Sequence, residues 1–135
     1  MKIAFDANVL IYSCDQSEPQ RQAKALQLVE SAEEAVTLWQ TAVEFIAASR
    51  KLAKRGMTPD QAWDRLSRFL DAFPLVPPSA SVLRTAKRLQ LEQQWSFWDA
   101  LVVSGCLEAG VRRLYSEDLP GRNPPPGLEI VNPFV

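Results

Sequence analysis

Two spacings of apolar residues alternate along this chain. The run Lys2–Phe5 stops at Asp6-Ala7-Asn8, which predicts a buried strand followed by a turn. Between Pro19 and Ala32, the residues Ala25, Leu28, Val29 and Ala32 recur as one face of a helix. Ala35–Trp39 reads as a second strand. Ala42, Phe45, Ile46, Ser49 and Ala53 then mark a helix that stops near Gly56. Thr58-Pro59 opens another, with threonine as N-cap and proline at the first helical position, and its apolar face is Ala62, Leu66, Phe69 and Phe73. Phe73–Val76 predicts a third strand, ended by Pro77-Pro78. Val82, Ala86 and Leu89 mark a helix, and Phe97–Ala109 a further one closed by Gly110. Arg113–Ser116 and Leu128–Val131 are the last strands, and Gly121–Gly127, with its three prolines, reads as a loop.

Strands alternating with helices predict an α/β fold: a short parallel sheet of about five strands with helices on both faces. The two consecutive helices between the second and third strands are expected to form a helical hairpin beside it. A chain of 135 residues suits one domain, residues 1–135, able to bury a core without disulfides.

Composition narrows the chemistry. The formal charge of −1 excludes a strongly basic nucleic-acid coat but leaves room for a local basic patch. There is no histidine, which removes Ser–His–Asp hydrolysis, Cys–His proteolysis and His-ligated zinc. Cys14 and Cys106 lie far apart and outside any C-x-x-C spacing, so reduced thiols and a cytoplasmic location are expected. The opening MKIAFDANVL is too short an apolar run for a signal-peptide core, and no run is long enough to span a membrane.

What remains is carboxylate. In a parallel sheet the C-terminal strand ends and the N-termini of the returning helices share one edge, where ligand sites form. Asp6 follows the first strand and Asp118 the fourth. Glu44 and Asp99 are expected in the first turns of the helices after the second strand and before the fourth. All four should therefore face one cleft, whereas Asp71 falls on the opposite edge and Asp64 mid-helix.

Each also has a plainer reading. Thr41-Ala42-Val43-Glu44 and Ser96-Phe97-Trp98-Asp99 both fit capping boxes, as Thr58–Gln61 does with a neutral partner. Asp6 and Asp118 could be turn formers. Four acids in one cleft would repel, by roughly 4 kcal/mol for two anions about 4 Å apart at an effective dielectric of 20. A bound dication or protonation relieves this. All-oxygen ligation favours Mg²⁺ or Mn²⁺ over zinc, and one ion or two stays open. Metal-assisted phosphodiester hydrolysis is the natural reaction class.

Substrate contacts are less defined. Arg50, Lys51, Lys54 and Arg55 form a basic run that a solvated helix face also explains. Arg112, Arg113 and Arg122 could reach phosphate. Trp39, Trp63, Trp95 and Trp98 read first as core or interface anchors, with Trp39 or Trp98 as candidates for stacking on RNA bases.

These residues resemble the PIN-domain nucleases, and within them the VapC-type toxins of type II toxin–antitoxin systems. The similarity lies in Ile3-Ala4-Phe5-Asp6-Ala7-Asn8-Val9-Leu10-Ile11-Tyr12, in Gln40-Thr41-Ala42-Val43-Glu44-Phe45, and in Ser96-Phe97-Trp98-Asp99-Ala100-Leu101-Val102 followed by Leu114-Tyr115-Ser116-Glu117-Asp118-Leu119. The resemblance implies a strand, an acid and a short helix at the start. It implies that Asp6, Glu44, Asp99 and Asp118 are catalytic, metal-site acids, with Asn8 and Ser116 as polar neighbours that orient ligands or water. Glu117 is expected to turn away from them. It further implies RNA cleavage, a homodimer, and inhibition by a cognate antitoxin.

Three other readings compete. A receiver domain would need a lysine where the chain has Glu129-Ile130-Val131-Asn132-Pro133. A haloacid-dehalogenase-like phosphatase could use Asp6, but its second acid is Asn8 here. The third is a decayed, non-catalytic module that only binds its partner, a reading the intact acidic quartet argues against.

Overall fold

The computed structural model describes residues 1–119 and 123–135; Arg122 and the start of the predicted Gly121–Gly127 loop lie outside the described residues. The elements in order are β1 (Ile3–Phe5), α1 (Ala7–Ser13), α2 (Pro19–Ser31), β2 (Ala35–Leu38), α3 (Trp39–Ala48), a 3₁₀ segment (Ser49–Arg55), α4 (Pro59–Ala72), β3 (Leu75–Val76), α5 (Ala80–Gln93), α6 (Phe97–Ala109), β4 (Arg113–Tyr115) and β5 (Glu129–Val131).

The strands pair in the order β3-β2-β1-β4-β5, all in parallel. β1 is central: Ala4 pairs with Val36 on one side and Leu114 on the other. Alternate residues divide between two cores. Ala4, Leu38 and Leu114 face the α5–α6 layer with Ala86, Leu89, Val103 and Cys106. Phe5 and Ala35 face the layer of α1 to α4 with Val9, Phe45, Leu66 and Phe69. A sheet buried on both faces explains why such short strands read as continuous apolar runs.

Four local departures from the sequence reading have physical causes. The predicted turn at Asp6–Asn8 is the start of helix α1, with Asp6 as its N-cap. The helix after β2 does not run unbroken to Gly56 but tightens to a 3₁₀ segment from Ser49, whose hydroxyl donates back to the Ile46 carbonyl at 2.7 Å. Phe73 is the C-cap of α4 and not part of β3, because its N–H donates back to the Phe69 carbonyl at 2.7 Å. β2 ends at Leu38, and Trp39 already begins the helix.

The helical hairpin is formed by α3 and α4, where Phe45 and Phe69 meet edge to face at 5.5 Å. Ala62, Leu66, Phe69 and Phe73 are all buried, so the apolar face of α4 is core. Thr58 closes a complete capping box with Gln61, which fixes where α4 begins.

Candidate active site

The winding of the sheet reverses between β1 and β4, and a crevice opens at such a point on the C-terminal edge. Asp6 and Ser116 leave the sheet there, side by side. The Asp6 Oδ1 accepts from the Ala7 N–H at 2.9 Å, and its Oδ2 accepts from the Ser116 hydroxyl at 2.8 Å. Both residues are buried. Burial pushes the Asp6 carboxyl above the usual carboxylate range. The Ser116 and Ala7 hydrogen bonds pull it back, and the charges of Asp118 and Asp99 raise it further.

α6 delivers Asp99 in its first turn. Ser96 caps this helix by accepting from the Asp99 N–H at 3.2 Å, which uses the backbone of Asp99 and leaves its side chain to line the cleft. Capping and a place in the cleft are therefore compatible at this position.

Glu44 is a different case. The expectation of a Thr41–Glu44 capping box in the first helical turn is wrong. The helix starts at Trp39 with Leu38 as its cap, and no side chain caps it. Thr41 is instead fully buried, and its Oγ1 has no partner among the described residues. Glu44 consequently stands in the second turn. Gln40, one turn before it, donates from Nε2 to the Glu44 Oε1 at 2.7 Å and to the Trp98 carbonyl at 3.1 Å, tying α3 to α6. Burial raises the Glu44 carboxyl; the Gln40 bond opposes this, and Asp6 and Asp99 add to it.

Asp118 is exposed at the mouth. Its Oδ2 accepts from Asn8 Nδ2 at 3.2 Å, and its N–H donates to the Ser116 Oγ at 3.3 Å. Asp6, Asn8, Glu44, Asp99 and Asp118 all line one cleft of about 530 Å³, with Ser116 beneath it. Four separate stretches of chain meet here: the junction of β1 and α1, α3, α6, and the turn after β4. Among the described residues no three acidic side chains converge closely enough to hold a metal ion together.

The cleft also contains residues that local sequence patterns did not single out. Tyr12, Asp15, Glu18 and Glu117 line it, as do Lys51 and Arg55 from the basic run. Arg50 and Lys54 are exposed away from it, and Arg112 and Arg113 are not in its lining. Arg113 pairs with Glu129 at 2.8 Å. Trp95 is core, whereas exposed Trp98 lines both the cleft and an adjoining apolar groove of about 430 Å³ that also includes Trp39, Val43, Pro77 and Leu83. Trp63 is exposed on α4.

Arg55 is more than a solvated surface charge. Its Nη1 lies 2.7 Å from Asp15 Oδ2, and Asp15 is buried. Burial works to raise the Asp15 carboxyl. The Ser17 hydroxyl and N–H, with the Arg55 charge, outweigh it and hold the group low. A carboxyl depressed in the folded state contributes stability above its unfolded value, which is lost as pH falls through the folded one. Arg55→Ala should therefore cost about 1 kcal/mol at neutral pH, a figure discounted because half the arginine is in water. In urea melts the gap from wild type should shrink in acid; a gap that widened there would contradict the pairing.

Comparisons with known proteins bear on this geometry. No curated protein matches the chain significantly by sequence. Several solved structures share its fold. VapBC2 from Rickettsia felis, bound to a promoter DNA fragment, aligns over 98% of both chains at 17% identity with a TM-score of 0.68. A toxin–antitoxin complex from Klebsiella pneumoniae aligns over 97% of both at 19% identity and 0.73. DNA-bound VapBC from Salmonella typhimurium aligns over 97% of both at 12% identity and 0.68. The family model for the PIN domain matches residues 3–119, a span that runs from β1 through every acid of the cleft. The chain belongs to the PIN-domain family, a family of nucleases.

Proposed function

We propose that this chain, one domain over residues 1–135, is a Mg²⁺- or Mn²⁺-dependent endoribonuclease. It acts in the cytoplasm as the toxin of a toxin–antitoxin pair. The observation that carries this reading is the meeting of Asp6, Glu44, Asp99 and Asp118, drawn from four separate segments, in one cleft of a PIN-domain chain. The three structural relatives are VapBC or toxin–antitoxin complexes, which supports an antitoxin partner. The exposed apolar groove beside the cleft is the kind of surface a protein partner or a second copy of the chain covers. Among the described residues no helix is long and apolar enough to cross a membrane.

The cleft fits a hard dication. Its donors are all oxygen. Two of its acids, Asp6 and Glu44, have their protonated forms favoured by burial and by neighbouring carboxylates, the strain a cation relieves. Mg²⁺ is commonly held by only one or two carboxylates, with waters completing its shell. Asp6 and Asp99 would hold it, with Glu44 and Asp118 completing the site. Once bound, the ion supplies a more acidic water and charge stabilisation at the scissile phosphate.

The chain's own groups set the geometry. Ser116 and the Ala7 N–H fix both oxygens of Asp6. Asn8 steadies Asp118, and Gln40 steadies Glu44. Lys51 at the cleft's edge is placed to meet phosphate and orient the strand.

The test is cleavage of matched RNA and DNA panels in Mg²⁺, in Mn²⁺ and in chelator. RNA cut internally, with activity lost in chelator and restored by Mg²⁺, is the expected result. Cleavage that survives chelation would reject the metal mechanism. Cleavage of DNA alone would reject the substrate class.

A further inference from the structure

Glu117 lies between Ser116 and Asp118 and lines the same cleft, with its carboxylate held by neighbouring side chains. Both oxygens of its carboxylate are engaged: Tyr12 donates its hydroxyl to Oε1 at 3.0 Å, and Arg21 donates Nε–H to Oε2 at 2.9 Å. The Arg21 guanidinium sits 5.4 Å from the Tyr12 ring centre and 5.9 Å from that of Phe134. The two rings meet edge to face at 5.0 Å. The cluster thus joins α1, α2, the C-terminal segment and the turn after β4.

The pair at its centre is partly exposed, with side chains 44% and 22% accessible, and such a pair adds little to stability. Its geometric consequence is larger. The Glu117 N–H donates to Asn8 Oδ1 at 3.3 Å, and the same Asn8 donates to Asp118 at 3.2 Å. The next N–H donates to Ser116, whose hydroxyl binds Asp6. Holding the Glu117 side chain therefore fixes the peptide that carries Asp118 and its register against Asp6.

We propose that Glu117, gripped by Arg21 and Tyr12, is a positioning residue that sets where Asp118 stands in the acidic cleft. The inference rests on the reading of Asp118 as part of a cation site. Groups that orient metal ligands typically change metal affinity or activity about 10- to 100-fold when removed.

The experiment uses the full chain with Mn²⁺ as the probe, and compares wild type, Glu117→Gln, Arg21→Ala and the double variant. For Glu117→Gln we expect Mn²⁺ affinity by calorimetry to fall about tenfold. RNA turnover should fall by a similar factor at unchanged KM, with the melting temperature in chelator unmoved. Arg21→Ala should act alike, Arg21→Lys should restore part of the loss, and the double variant should be no worse than either single. Without metal, exchange of the Asp118 amide should quicken in Glu117→Gln. Wild-type Mn²⁺ affinity, turnover and amide exchange in Glu117→Gln would overturn the positioning role alone. Single-variant losses that multiply in the double variant would overturn the coupling between Arg21 and Glu117. A wild-type chain that binds no Mn²⁺ would overturn the cation site itself, and this inference with it.

Discussion

Asp6→Asn is expected to lower RNA cleavage more than about 100-fold while leaving the fold intact, because it removes the charge of the proposed metal ligand, where removing even a supporting group costs about 10- to 100-fold. The amide matches the carboxylate in shape. Its oxygen can still accept from the Ala7 N–H, so the N-cap of α1 survives. What is lost is the negative charge that attracts a dication.

The same variant carries a second signature of opposite sign. Burial, together with Asp118 and Asp99, raises the Asp6 carboxyl in the folded protein. Between the unfolded and folded values the native state holds the extra proton, so stability falls as pH rises through that window. Asp6→Asn escapes this penalty. In chelator it should melt above wild type at neutral pH, with the advantage fading as pH drops below the carboxylate range. Added Mg²⁺ should stabilise wild type and do little for the variant. An inactive variant that melted lower than wild type in chelator at every pH would point to lost structure, and the assigned role would fail.

The acid edge was legible in the sequence because it follows from topology. Once β1, β2 and β4 are read as parallel strands, Asp6 and Asp118 must leave the sheet on one edge, and helix starts must return to it. Thr41 shows where local pattern misleads. Its T-x-x-E spacing to Glu44 matches a capping box, but a helix begins where the chain's dihedrals turn helical. Here β2 stays paired with β3 up to Leu38 and the turn comes at once. The ladder, not the nearby hydroxyl, sets the start. Asp15–Arg55 and Arg21–Glu117 were invisible for another reason. They join residues 40 and 96 positions apart, and no periodicity within one element encodes such a meeting. Glu117 was expected to turn away from the acids, yet it lines the same cleft, and its partners on α1 and α2 could only come from the folded chain.

Phe45→Ala should be the most damaging single truncation near the site. Phe45 is fully buried beside Glu44, and its ring packs edge to face on Phe69. Removing a buried aromatic ring costs about 3–5 kcal/mol, from lost transfer energy and the cavity left behind. Domains of this kind have only about 5–15 kcal/mol in total, so the variant should sit close to its unfolding threshold at 37 °C. The urea midpoint should fall steeply at unchanged slope. Phe45→Leu, which refills much of the space, should cost less than about 1.5 kcal/mol and keep most cleavage per folded molecule. That contrast separates two jobs of α3. One face anchors the helix in the core, and the adjacent position aims an acid at the cleft. If Phe45→Ala melted within about 1 kcal/mol of wild type, its ring could not be the anchor, and the placement of Glu44 would need another cause.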